Sequence, residues 1–561
     1  MSRRATLIEL LTVAGFCCFL FYFGLAAFGL VGADEPRYAQ VAREMLERHD
    51  LVTPTLYGKP WLEKPPLYYW RAMEEYWIFG VSDWAARLPS ATAASFMLVV
   101  IYFFLHCFRP GSQLEGALMT AASAGVIAFA RGAGTDMLLT SAFVTGMLLW
   151  FTWYAGGRRL WLVLFYLLIA VGTLAKGPVA PALAALIIVA FALAQRETQL
   201  IVRTAWLPGV LLFLAVSLPW YVAVELRNPQ FLREFILQHN LARFATNMYH
   251  HKQPLWYFVP VLLLGAMPWT ALVVAGWVET IKGWRRQPAA LPSKTGLPPQ
   301  QTESGFAGQS GLDGAPTARS AALPKFLLIW AAVVTVFFSI SASKLPGYIL
   351  PAVPASTVLA ADWVTRRERL GWLVIIGQAA LSGALLVLAL LCPNLLVYGH
   401  HVPGEARWLA LGIGALVFVA TVSTLARRGV AALRLVVLAP VIVGLAFLVR
   451  IGGLAINNTL SARPVARAIA EMEGKSVEVA VYKTSREVEY GLAFYRNQPV
   501  PRYGRDEIPG QDHLVVVSEA DVEEFVNAVR PRRASRLGEF SPQRLKFYWV
   551  STPPVVPMDH H

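Results

Sequence analysis

Residues 32–70 read GADEPRYAQVAREMLERHDLVTPTLYGKPWLEKPPLYYW. They follow directly on an apolar run, Leu7–Val31, long enough to cross a bilayer at about 20 residues per span. The acidic pair Asp34-Glu35 stands where that run ends. Arg37 and Tyr38 come next, then a short amphipathic helix, then Glu63-Lys64-Pro65-Pro66. Such a cluster is either a solvated loop with ordinary membrane-surface charges or a site facing a protected cavity. Only in the second case do charges at a membrane boundary carry function.

Composition decides the class around this stretch. The chain has 561 residues, of which 56% are hydrophobic and 15% charged, against about 25% charged in soluble domains. It is an α-helical polytopic membrane protein with room for one soluble domain. The net charge of +14 does not point to nucleic acid, because the basic residues fall in short pairs between apolar runs, as membrane topology requires. Cys17, Cys18, Cys107 and Cys392 lie in or beside apolar runs and read as core or lipid-facing residues, with no zinc spacing and no disulfide framework.

About thirteen spans are expected, among them Leu114–Ala130, Phe258–Val278, Tyr348–Ala361, Trp408–Leu425 and Leu433–Leu454. Basic pairs such as Arg3-Arg4, Arg158-Arg159, Arg285-Arg286 and Arg427-Arg428 fall in every second connection. That alternation places the N-terminus in the cytoplasm, and an odd span count places the C-terminus outside. Residues 1–456 then form the membrane domain, with outer loops at 34–83 and 226–257. The Gly-, Ser-, Pro- and Ala-rich stretch 287–322 reads as a cytoplasmic linker. From Asn457 the apolar spans stop. Helical patterns at Pro464–Glu473 and Glu519–Val529 and strand patterns at Val477–Tyr482, His513–Val517 and Phe547–Val550 predict a small α/β domain over 457–561.

The outer connections gather Asp, Lys, His and Tyr. Arg131-Gly-Ala-Gly-Thr-Asp136 opens the fourth span, Lys176-Gly-Pro closes the fifth, and Ser343-Lys344-Leu-Pro-Gly-Tyr348 joins the ninth and tenth. With Gly-Ala-Asp34-Glu35-Pro-Arg37-Tyr38, Leu-Glu63-Lys64-Pro, His239-Asn-Leu-Ala-Arg243-Phe244 and His251-Lys-Gln-Pro-Leu-Trp-Tyr, these motifs resemble the membrane glycosyltransferases of the C-type (GT-C) fold. That clan includes protein O-mannosyltransferases and oligosaccharyltransferases. Within it the chain is most similar to the bacterial aminoarabinose transferases that modify lipid A.

The resemblance implies an undecaprenyl-phosphate-linked sugar as donor, lipid A as acceptor, and an active site on the periplasmic side of the inner membrane. A protein or a core sugar is the alternative acceptor. It implies Asp34 as catalytic carboxylate, with Asp136 a second outer carboxylate that an N-cap would equally explain. Transfer releases an anionic polyprenyl phosphate, which fixed positive groups stabilise. Lys64, Arg37, Lys176, Arg243 and Lys344 are the candidates, with Tyr38 and Tyr348 beside them; headgroup contact or interfacial packing is the alternative for each. Glu63 with His251 would hold a divalent ion such as zinc, although two distant ligands do not make a metal site by sequence. The absence of a P-loop argues against ATP-driven transport, and no nucleotide cofactor is expected. A lipid or sugar transporter is the alternative from another class. It would show paired inverted repeats, and none is visible.

Overall fold

The structure, a computed structural model, describes residues 3–233, 235, 253–286, 319–399, 401–473 and 477–551. The N-terminal half contains helices α1 (Arg3–Cys17), α2 (Asp34–Glu47), α3 (Leu67–Phe79), α4 (Asp83–Phe108), α5 (Gln113–Ala121), α6 (Ala124–Ala130), α7 (Thr135–Tyr154), α8 (Arg159–Lys176), α9 (Val179–Gln195), α10 (Gln199–Thr204) and α11 (Leu207–Arg227). The second half continues with α12 (Phe258–Gly265), α13 (Thr270–Arg286), α14 (Leu323–Ile340), α15 (Ala352–Thr365), α16 (Trp372–Tyr398), α17 (Gly404–Arg428), α18 (Leu433–Phe447) and α19 (Gly453–Leu460).

Among the described residues, eight helical stretches are long and apolar enough to cross a membrane, or ten if each of two bent pairs is one span. The expected thirteen is therefore not reproduced as a count of straight spans, for identifiable reasons. Leu114–Ala130 is broken into α5 and α6 at 64°, and Phe258–Val278 into α12 and α13 at 117°. The two breaks meet: Ala124 N–H donates to Met267 O at 2.8 Å instead of to its own helix. Gly125 lies against Gly265 so closely that a Cβ there would stand 3.2 Å from the Gly265 backbone. The region around Tyr348 forms a short 3-10 turn before α15, which is too short to span alone. Conversely, Gly404–Leu460 counts as one stretch of 57 residues. At 1.5 Å per residue that is roughly 85 Å of helix, far more than one crossing of about 30 Å. It turns at Gly429, whose φ of +60° and contact with Glu368 O leave no room for a side chain.

The most enclosed span is α7. Trp150 and Phe151 on it pack with Phe191 of α9 and Phe326 of α14, at ring centroid distances of 5.0 to 6.4 Å. This aromatic seam holds the C-terminal end of α7, and Asp136 stands in the first turn at its other end.

Outside the bundle, β1 (Thr55–Leu56) and β2 (Lys59–Pro60) form a hairpin closed by Tyr57 and Gly58, both at positive φ, as a two-residue type I′ connection requires. The Glu44 carboxylate accepts from both turn amides, at 2.8 and 3.1 Å. Two-residue arms carry no alternation, so this hairpin is not legible in the sequence.

After Ser461 the chain builds a four-stranded sheet in the order β3-β4-β6-β5, from β3 (Val479–Tyr482), β4 (His513–Ser518), β5 (Arg533–Phe540) and β6 (Leu545–Ser551). β3 and β4 are parallel, and the other pairs are antiparallel. Val479 and Val481 face α20 (Arg463–Glu473) and α21 (Arg486–Arg496), while Ala480 and Tyr482 face α22 (Val522–Ala528). Helices on both faces bury both sides of the sheet, so β4 reads as an unbroken apolar run. The expected strands and first helix are present. α21 and β5 are additions, and the expected helix 519–529 begins as a 3-10 turn at Glu519–Asp521.

This domain sits on the outer loop. Arg43 of α2 donates to Phe494 O at 2.8 Å, and Arg463 pairs with Asp83 at 2.8 Å. Tyr495 donates to Asp83 at 2.5 Å and accepts from Leu30 N–H at 2.7 Å. The domain therefore shares a side with residues 34–83. In a cysteine-free background, cysteines placed at Lys59 and Ser535 should be labelled from the same side of the membrane and one at Ser310 from the other. Labelling of Ser310 and Ser535 from one side contradicts this topology.

Candidate active site

The first span does not run straight into α2. Its helix widens into a π turn at Cys18–Tyr22 and then unwinds, leaving carbonyls without helical partners. Two arginines distant in the chain take them up. Arg131 donates to Leu20 O, Phe23 O and Gly24 O. Arg87, which is 1% exposed, donates to Leu25 O, Phe28 O and Gly29 O at 2.8 to 3.0 Å. Its remaining N–H groups go to Glu35, at 3.2 and 2.7 Å. All five donors of that guanidinium are thus used. Glu35 in turn accepts from Val31 N–H and Ala133 N–H, both at 2.7 Å, which fills the sites of its two oxygens. A buried pair is tolerable only when every remaining hydrogen-bonding group is satisfied, and here each one is. Glu35 is therefore the anchor of α2 and does not face the site, although the sequence pairs it with Asp34.

One residue earlier, Asp34 points the other way. Its side chain is 65% exposed, and Arg37 holds it through Nη2 at 2.5 Å. The Arg37 side chain is 9% exposed, and its Nη2 lies 3.7 Å from Glu63. Aromatic rings enclose its guanidinium: Tyr38 at 5.2 Å, Trp61 at 5.1 Å and Tyr490 of α21 at 5.6 Å. Cation–π contacts of this kind strengthen when desolvated. Arg37 thus serves as a fixed positive centre joining two carboxylates, one open and one half-buried. Its Nε is buried without a partner among the described residues.

A second pair completes the acidic face. Lys176, the last residue of α8, is ion-paired with Asp136, and its ammonium lies 4.8 Å from the Tyr348 ring. A Cβ at Gly347 would stand 2.7 Å from the Asp136 carboxylate, so that loop is pressed against the pair. Tyr38 links the two groups. Burial, then Asp34, Glu63 and Asp136 around it, push its phenol well above the usual range against the opposing pull of Arg37. The phenol stays protonated and able to donate. Tyr69, also fully buried, is raised in the same way, first by burial, and its hydroxyl has no partner among the described residues.

The structure thus brings Asp34, Arg37, Tyr38, Glu63, Asp136, Lys176 and Tyr348 into one region. Lys64 lies beside them, half-buried in the non-helical turn before α3. Lys344 is buried on the loop carrying Tyr348, but its ammonium donates to Ser341 O at 2.6 Å. Arg243 and His251 lie outside the described residues, and so does most of the 226–257 loop. No group of three or more His, Cys, Asp or Glu able to hold a metal occurs among the described residues. Arg87, Trp61, Tyr69 and Tyr490 were not legible as site residues: each is an ordinary member of its helix or loop until the chain folds.

The chain is similar to known proteins in sequence and in fold. Residues 63–222 match the dolichyl-phosphate-mannose-protein mannosyltransferase family model. The undecaprenyl phosphate-alpha-4-amino-4-deoxy-L-arabinose arabinosyl transferase of Pseudomonas aeruginosa is 30% identical over 399 residues, 70% of this chain and 65% of that protein. Its Yersinia enterocolitica counterpart is 28% identical over 340 residues, 59% of this chain and 55% of that protein. The chain thus spans just over half the length of the first such relatives. The crystal structure of ArnT from Cupriavidus metallidurans bound to undecaprenyl phosphate superposes with a TM-score of 0.77 at 23% identity, covering 98% of this chain and 100% of that one. The chain has the C-type glycosyltransferase fold. It is a multi-pass membrane protein related to the aminoarabinose transferases in sequence as well as in fold, as its motifs led one to expect.

The division of labour between adjacent carboxylates is directly testable. Arg87→Ala should lower the thermal midpoint of the purified protein sharply, since breaking a buried pair costs about 3–5 kcal/mol. Arg87→Lys should recover little, because three donors cannot serve five acceptors. Asp34→Asn, at an exposed carboxylate, should leave the midpoint close to that of the parent. Equal thermal effects of Arg87→Ala and Asp34→Asn contradict the assignment.

Proposed function

We propose that this chain transfers 4-amino-4-deoxy-L-arabinose from undecaprenyl phosphate to a lipid A phosphate at the periplasmic face of the bacterial inner membrane. The observation that carries the reading is the open Asp34 carboxylate, clamped by a caged Arg37 at the mouth of the first span. The names of the relatives supply the donor and the sugar.

The reaction breaks the bond between the anomeric carbon and the phosphate oxygen, and the bonding electron pair leaves with undecaprenyl phosphate. An oxygen of the acceptor phosphate forms the new bond to the anomeric carbon. That nucleophile is already anionic, so no proton need be removed. Asp34 then serves by facing the positive charge that develops on the sugar ring, or its ammonium group, rather than as a base. The departing phosphate is met by fixed cations: Lys64, Arg37 and Lys176, with Lys344 and Arg243 as further candidates. The phenols of Tyr38 and Tyr348 would donate to phosphate or sugar oxygens. Binding energy here must grow as the charge separates, which preorganised cations in a partly dry groove provide.

The match of residues 63–222 to a protein mannosyltransferase model favours a second reading, in which the acceptor is a hydroxyl group of a protein or core sugar. Asp34 would then be the general base. A divalent ion held by Glu63 and His251 remains part of the proposal. The Glu63 carboxylate is 26% exposed and so accessible, although it shares its charge with Arg37. Such an ion would add positive charge near the leaving phosphate, and Glu63→Gln should then lower the zinc bound per purified chain.

Mass spectrometry of lipid A from cells with and without the protein tests the acceptor. The expected result is an aminoarabinose-sized mass increment that disappears in Asp34→Asn cells; an unchanged lipid A overturns the acceptor. For the donor phosphate, Lys64→Ala should cost at least roughly tenfold in donor turnover, since a charge-assisted hydrogen bond is worth about 1.5–3 kcal/mol. Lys59→Ala on the exposed β2 arm should cost little. Equal small effects reassign the phosphate to Arg243, Lys176 or Lys344.

A further inference from the structure

The first span leads to Asp34 at one end and borders a groove at the other, which the transfer reaction does not use. The groove measures about 620 Å³ and lies between α1 and α18. From Ala5 to Phe16 its residues on α1 recur at helical spacing and form one stripe, and those from Arg434 to Ile442 form the facing stripe on α18. Leu114 and Leu118 of α5 are buried and make the floor, while Ile8 and Leu435 are exposed on the two lips. The Thr12 hydroxyl donates to Ile8 O at 2.8 Å, which leaves that wall apolar. From Ala5 to Phe16 the groove runs roughly 16 Å, about one leaflet's share of a 30 Å hydrocarbon core. An apolar space of this kind does not hold water, and an acyl chain fits it.

Two charged side chains line this groove, Glu9 and Arg434, and both are tied to the first turn of α5. Glu9 Oε2 accepts from the Tyr102 hydroxyl at 2.8 Å and from Gln113 Nε2 at 3.0 Å. Both donors are neutral, and no cation among the described residues pairs with this carboxylate. Its Oε1 accepts from none of the described residues and retains accessible surface. A carboxylate within a span ordinarily has a partner of opposite charge. Arg434 Nε donates to the Glu115 carboxylate at 2.7 Å, and Nη2 is ion-paired with the same oxygen. Its side chain is half exposed, and its Nη1 donates to none of the described residues.

These charges select the headgroup. Glu9 and Glu115 stand against Arg434 alone, so this end of the groove lacks one positive charge. Arg3 and Arg4 are exposed and do not line it. An anionic headgroup would meet the uncompensated Glu9 carboxylate. A quaternary ammonium brings the missing charge but no N–H. A primary ammonium brings the charge and three donors, and its bond to Glu9 Oε1 is charge-assisted. A phosphate diester next to that ammonium would accept from Arg434 Nη1.

We infer that this groove holds one zwitterionic phospholipid with a primary-amine headgroup, of the phosphatidylethanolamine type, in the leaflet opposite Asp34. The basic pairs Arg3-Arg4 and Arg427-Arg428 assign that leaflet to the cytoplasmic side. The inference rests on the chain being a membrane protein and not on the transferase reading. The lipid would bridge α1 to α18 and so brace the span that leads to Asp34.

The test is native mass spectrometry of the full-length protein in detergent, titrated separately with the dioleoyl forms of phosphatidylethanolamine, phosphatidylcholine and phosphatidylglycerol. One ethanolamine lipid per chain should bind at least roughly tenfold more tightly than either of the others. Glu9→Gln should abolish that preference and bring the ethanolamine lipid to the level of the choline lipid. The amide carbonyl of this variant still accepts from Tyr102 and Gln113, so without added lipid its thermal midpoint should match that of the parent. Ala439→Trp fills the groove from an exposed position on its wall. It should remove the tight ethanolamine-lipid site, and it decides the matter should Glu9→Gln fail to fold. Asp34→Asn should bind the lipid as the parent does. Equal binding of the three lipids, which is an annular contact only, or a preference for phosphatidylglycerol overturns the inference. So does an ethanolamine preference that survives Glu9→Gln or Ala439→Trp.

Discussion

The pairing of Arg87 with Glu35 is the constraint on which the outer face depends. A span that must unwind before it reaches water exposes carbonyls at a depth where no solvent can satisfy them. Arg87 reaches from α4 to take three of those carbonyls and then closes on Glu35, which itself receives the amides of Val31 and Ala133. One contact thus ties together the end of the first span, the start of α2, the start of α4 and the loop leading into α7. With Glu35 fixed, the neighbouring Asp34 projects outward, and Arg37 one turn later can hold it. Two adjacent carboxylates have opposite fates, one largely buried and saturated with donors, the other open.

The soluble domain extends the same logic. Its helix α21 lies on α2, and Tyr490 closes the aromatic cage around Arg37. Arg463 and Tyr495 converge on Asp83 at the start of α4, the helix that carries Arg87. Tyr490, far along the chain, thus completes the cage of the candidate site, while the C-terminal domain also has a core of its own.

Much of this was legible in the sequence, for physical reasons. Apolar runs declare spans, and Asp34, Arg37, Glu63, Asp136 and Lys176 stand out because they fall in the outer connections, where Asp, Lys and Tyr gather. The alternating and apolar runs at 479–482 and 513–518 declare strands. What was not legible depended on tertiary partners. Arg87 reads as an unremarkable residue near the start of an apolar helix until the carbonyls it serves are known. Glu35 and Asp34 cannot be told apart until α2 is oriented. The bends at Ser123 and Pro268 depend on each other through the amide of Ala124, so hydropathy alone reads each as a straight span. α21 buries seven consecutive residues, Val488–Phe494, the charged Glu489 among them, so no one-sided apolar period marks it in the sequence.

The most direct test of the central claim is the balance of products made by the purified protein from undecaprenyl-phosphate-linked aminoarabinose and lipid A in one membrane mimic. The account predicts release of undecaprenyl phosphate in a one-to-one ratio with the gain of one aminoarabinose by lipid A, and loss of both signals together in the Asp34→Asn protein. Donor bound or moved across the bilayer with its sugar–phosphate bond intact, or turnover undiminished in Asp34→Asn, would contradict it.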